Sequence, residues 1–141
     1  MTDFLLISPD GEVTEREGFP SNVVGCHGSG GQNLWETSRG IGTDRETLRV
    51  VACDCGLLFP EEHPENRYAY VIVGAAGYVQ RWGGTVALEL VAWDNEPIVL
   101  REDYVLWVRR MANLARPSID AGVPLEDLLD QVPTVRPPWR T

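Results

Sequence analysis

The stretch "RYAYVIVGAAGYVQRWGGTVALELVAW", Arg67–Trp93, carries the densest strand signal in the chain, and its reading decides the fold. It divides into RYAYVIVG, GYVQRW and TVALELVAW, with the short glycine turns AAG and GG between them. β-Branched and aromatic residues suit a pleated, half-buried surface, so three strands are expected here. The last segment alternates. Val86, Leu88, Leu90 and Ala92 fall on one face, and Thr85, Ala87 and Glu89 on the other.

Upstream, "DFLLISPDGEVTERE" predicts a β-hairpin turning at Pro9-Asp10-Gly11. "SNVVG" and "TLRVVAC" read as strands, and "IVL", after a "DNEP" turn, as one more. Residues 28–46 are polar and Gly-rich and read as a long loop, the kind that is functional or mobile. "FPEEHPENR" is broken by prolines and reads as a second loop. Downstream the period changes. Tyr104, Trp107, Val108, Met111, Leu114 and Ala115 recur at helical spacing in "REDYVLWVRRMANLAR", and Pro117 is expected to stop that helix. Glu102 and Asp103 at its start and Arg109, Arg110 and Arg116 near its end suit the helix dipole. "VPLEDLLDQV" predicts a second, shorter helix. Strands first and helices last predict an α+β domain over residues 1–132, with a Pro-rich tail over 133–141. The expected sheet is antiparallel, built from the N-terminal hairpin and residues 67–100. The helix over 101–116 and the one after it pack on one face, which buries Val108 and Met111.

A chain of 141 residues, 43% apolar and 23% charged, is enough for one domain with a single core. Its apolar runs are too interrupted to span a bilayer, and "MTDFLLISPDGE" lacks the basic region of a secretory signal, so a cytoplasmic protein is expected. The net charge is −9, in small sets such as Glu12, Glu15 and Glu17 or Glu126, Asp127 and Asp130. That balance argues against direct nucleic-acid binding and suits a solvated surface or a basic protein partner. All twelve basic residues are arginine, which points to a GC-rich genome.

Three cysteines and two histidines make up the metal-ligating stock. Cys53 and Cys55 form a C-x-C pair, Cys26 is followed by His27, and His63 stands eight residues after Cys55. Zinc takes four nitrogen or sulfur ligands in a tetrahedron. If a metal is held, the expected set is zinc on Cys26, Cys53, Cys55 and His63. His63 is preferred over His27 because neighbouring side chains on a strand diverge. C-x-C is tighter than the usual knuckle, and the competing reading makes each cysteine a small buried hydrophobe. Beyond that zinc no cofactor is expected. Ser29 in "HGSGG" has His27 where a nucleophile elbow needs glycine, and the glycines precede no Lys-Ser/Thr pair. The chain is therefore not expected to be an enzyme. Trp35 and Asn66 are the candidate binding residues.

"FLLISPDGEVTERE", "DCGLLFPEEHPENRYA" and "WGGTVAL" resemble a family of small uncharacterised proteins of phages, plasmids and bacteria. The shared features are the Pro-Asp-Gly hairpin, Asp54-x-Gly56-Leu57, Asn66-x-x-Ala69 and the Gly84-x-Val86 strand. The resemblance covers the first 17 residues and residues 50–92, and the family's pattern includes neither the cysteine set nor a helical region like the C-terminal one. It implies a mobile-element accessory protein and transfers no catalytic residue. The expected function is thus a small acidic, non-enzymatic accessory protein that binds a host protein, in counter-defence or regulation. The alternatives are a zinc-stabilised binding domain of a cellular protein, and a small-molecule binder or sequestering protein. A homo-oligomer is compatible with each.

Overall fold

The computed structural model describes residues 2–20, 24, 34–37, 46–53, 61, 63–92 and 96–138. Its elements are β1 (Phe4–Ile7), β2 (Val13–Arg16), β3 (Leu34–Thr37), β4 (Glu46–Cys53), α1 (Arg67–Ala76), β5 (Val86–Ala92), β6 (Pro97–Ile98), α2 (Glu102–Asp120) and α3 (Leu125–Gln131). The expected N-terminal hairpin is present. Ser8 N–H donates to the Glu12 carbonyl at 3.0 Å, and Gly11 turns the chain at φ 89°. The Tyr68 ring packs flat on that turn. A Cβ on Gly11 would sit 2.5 Å from the ring, so the position needs glycine for space as well as for φ.

The strands form one antiparallel sheet in the order β2-β1-β5-β4-β3, with β6 also paired to β5. Central β5 sets Leu88 between Leu5 of β1 and Val50 of β4. Leu5, Ile7, Leu48, Val50, Val86, Leu88 and Leu90 all face the main core, which also holds the buried residues of α1, α2 and α3. The helices therefore lie on one face of the sheet, and the architecture is α+β. The opposite face carries a smaller cluster of Phe4, Leu6, Val24, Val51 and Ala87. Val108 and Met111 are both 0% exposed, as the helical spacing required.

Residues 67–76 depart from expectation: they are helix α1, not a strand. The segment is apolar on nearly every side because most of it is buried, with Tyr68, Ala69, Tyr70, Val71, Ile72, Val73 and Ala76 in the core and Arg67, Gly74 and Ala75 half-buried on one narrow side. A helix of that kind has only a narrow polar side, and a short apolar run then reads equally as a buried strand. The caps decide it. The Asn66 side chain accepts from Ala69 N–H at the start. At the end, Gly77 at φ 121° donates to the Gly74 carbonyl, and Tyr78 N–H reaches back to Val73, a Schellman closure. Residues 78–82, expected in a strand, are irregular, with Val79 exposed. They return the chain from the end of α1 towards β5.

Three smaller departures have local causes. The expected 28–46 loop contains β3, whose Leu34-Trp35-Glu36-Thr37 pairs with Cys53-Ala52-Val51-Val50. A non-local partner supplies the order that the local pattern lacks. Pro117 does not stop α2, because it sits on the exposed side while buried Ala115 and half-buried Ile119 continue the core-facing stripe to Asp120. Gly122 ends the helix instead, by the same Schellman pattern as Gly77. Val24, within the expected "SNVVG" strand, is a buried bend, and the rest of that segment lies outside the described residues. In the tail, Val135 packs against the main core, and its carbonyl accepts from Trp107 Nε1 at 2.8 Å.

Arginines of α2 cover the open edge of the hairpin. Arg109 donates to the Val13 carbonyl at 2.8 Å and pairs with Glu15 at 3.2 Å. Arg116 reaches the carbonyls of Asp10 and Gly11 at 3.5 Å and lies over the Tyr68 ring. Charge laid along an edge strand protects it from pairing with other chains. At the other end of α2, the Tyr104 hydroxyl donates to Glu46 at 2.9 Å, and Arg101 pairs with the same carboxylate. Burial, reinforced by the neighbouring Glu46 carboxylate, pushes the Tyr104 phenol well above its ordinary 10.0. Unfolded tyrosine ionises near 10.0 while the folded one stays protonated. The stability this provides is complete below that pH and is lost as pH rises beyond it. Urea midpoints at mildly and strongly alkaline pH should therefore show a steep loss, and Tyr104→Phe should reduce it. An identical alkaline loss in the variant would remove Tyr104 from the explanation.

Candidate binding site

The sequence-derived candidates are widely separated in their roles. Asn66 is 0% exposed. Its Nδ2 donates to the Ile7 and Gly84 carbonyls, both at 2.8 Å, and its Oδ1 caps α1. Asn66 thus ties the end of β1, the approach to β5 and the start of α1 together, and both of its amide hydrogens are used inside the fold. His63 is half-buried against Gly84, where a Cβ would lie 2.8 Å from Nδ1. Trp35 lies on β3 opposite Ala52 in register. Cys53 is buried at the end of β4, opposite Leu34. Cys26 and Cys55 lie outside the described residues. Among the described residues no group of three or more His, Cys, Asp and Glu side chains is placed to hold a metal.

A different place gathers features of a binding site. Glu89 sits in the middle of β5, on the sheet face away from the helices, with Phe4 of β1 and Arg49 of β4 as its lateral neighbours. Its side chain is 5% exposed, and it is held by Arg49, whose Nε donates to Oε1 at 2.6 Å. A charge buried this deeply persists only when it is paired. Arg49 takes Oε1 through a terminal nitrogen as well. Among the described residues nothing hydrogen-bonds Oε2.

Glu89 forms the floor of a cleft of about 330 Å³, lined also by Asp3, Gly18, Phe19, Pro97, Ile98 and Val99. The walls come from the turn after β2 and from β6. Asp3 Oδ2 accepts the Gly18 N–H at 2.8 Å, which fixes the turn that carries Phe19. Phe19 is 62% exposed and Val99 43%, so two large apolar side chains stand open beside the cleft. Among the described residues the lining holds two carboxylates and no basic side chain. A second cleft lies between α1 and α3, lined in part by Glu65, Arg67 and Arg81. There Glu65 is bridged to both arginines, and Glu126 also lines the cleft.

The sequence placed Glu89 on the correct face of β5 but did not disclose its pairing with Arg49, which joins residues of different strands. Phe19 is a residue of the cleft that no periodic pattern marks. The signal was there, in one aromatic residue set between Gly18 and Pro20 after a charged strand. Compared with protein-family models, with curated proteins and with solved structures, the chain matches none. Among the described residues no helix is long and apolar enough to cross a membrane. The fold and the cleft together describe an α+β domain with an acidic, apolar-rimmed depression at one side of its sheet.

Proposed function

We propose that the chain is a small acidic accessory protein that acts by binding a host protein, and that the surface around Phe19 and Val99 is where it binds. The supporting observation is the pair of exposed apolar side chains at a cleft with a buried acid beneath. Apolar anchors next to a desolvated pocket are the usual energetic centre of a protein interface. The net charge of −9 favours a basic partner and steers its approach. The resemblance to mobile-element proteins and the arginine-only basic complement favour a host protein as that partner.

The test places a photo-crosslinking benzoylphenylalanine at Phe19 and, as a control, at Leu106, an exposed apolar position on α2. Irradiation in host lysate should give a discrete adduct from position 19 that Val99→Glu abolishes. No adduct, or the same adducts from position 106, would overturn the reading.

A further inference from the structure

We infer that the cleft above Glu89 receives one basic side chain of the partner, an inference that rests on the binding reading above. Three features of the cleft converge on a cation. First, its charge is unbalanced: Asp3 and Glu89 line it, Arg49 pairs with Glu89, and among the described residues no basic side chain lines it. Second, acceptor capacity remains. Asp3 uses Oδ2 for the Gly18 N–H and Glu89 uses Oε1 for Arg49, so among the described residues one oxygen of each carboxylate is without a hydrogen bond. Third, the remaining lining is apolar. Phe19, Pro97, Ile98 and Val99 suit the aliphatic stem of an arginine or lysine, and Phe19 brings an aromatic ring, which attracts a cation, to the rim. Low-dielectric walls around charges of one sign concentrate the field where the head group would sit. A neutral side chain of the same shape would leave Asp3 without a charged partner, and the second Glu89 oxygen without a donor, as the partner closed over them.

The probe is the capped tripeptide acetyl-Gly-Arg-Gly-amide, followed by amide proton–nitrogen NMR of the full chain. Acetyl-Gly-citrulline-Gly-amide, equal in shape but uncharged, is the comparison. Saturable shifts are expected at Gly18, Phe19, Ile98 and Val99 with the arginine peptide, with binding at least about tenfold weaker for the citrulline peptide. Glu89→Gln alone strands Arg49, so the floor is tested by combining it with Arg49→Gln. Asp3→Asn and Phe19→Ala test the rim and decide the matter if the double variant does not fold. Each folded variant should weaken the arginine peptide by about tenfold. Equal shifts from the two peptides, shifts spread over the whole acidic surface, or unchanged affinity in the variants would overturn the inference. The two proposals fail separately. If the arginine peptide binds at the cleft but position 19 captures no partner, only the partner reading falls. If capture from position 19 survives in Asp3→Asn and in the folded double variant, only the basic occupant falls.

Discussion

Asn66→Ala is expected to lower the free energy of unfolding by roughly 3–5 kcal/mol, because three buried backbone groups lose their partners together. The Ile7 and Gly84 carbonyls lose a donor, and Ala69 N–H loses its cap. Each buried polar group left unsatisfied costs about 1–3 kcal/mol, and loss of an N-cap alone about 1. Asn66→Asp keeps the cap acceptor but aims a carboxylate at two carbonyl oxygens, so it should do no better than alanine. Urea denaturation followed by circular dichroism measures both. A loss under about 1 kcal/mol for alanine would mean that water satisfies the three groups, and that Asn66 does not hold β1, β5 and α1 together.

Val108→Asp should be as damaging or worse. Val108 is 0% exposed on the face of α2 that packs into the main core. An unpaired carboxylate there either ionises in an apolar surrounding or stays protonated at a large cost, and losses above about 4 kcal/mol belong to such changes. Val108→Ala removes only packing, and about 2 kcal/mol is expected. The ratio of the two carries the information. A Val108→Asp protein as stable as Val108→Ala would mean that α2 lifts easily from the sheet.

The elements legible in the sequence are those with a period or a local punctuation mark. β5 alternates, α2 carries a stripe, and Pro9-Asp10-Gly11 marks the hairpin. α1 was illegible because burial of most of its surface narrows the polar face that reveals a helix. Its two marks, Asn66 before it and Ala76-Gly77 after it, were present, and Ala121-Gly122 repeats the second mark at the end of α2. β3 could not be read because its order comes from β4. The cleft was illegible for a related reason. Asp3, Phe19, Glu89 and Val99 come from four separate stretches, and only the pairing of β1 and β6 along one side of β5 brings them together.

That central place of β5 has a consequence for how the protein is made. β1, β4 and β6 all pair with β5, so Phe4 must wait for Glu89 across most of the chain. As the ribosome extends the chain, β1–β2 and then β3–β4 emerge as separate two-stranded units, each marginal in water on its own. Neither can close its inner edge until residues 86–92 have left the exit tunnel. Maturation is therefore a late, concerted event with long-range closures that slow it, not a progressive one. Nascent chains stalled before β5 would display two unpaired strand edges and depend on a holding chaperone.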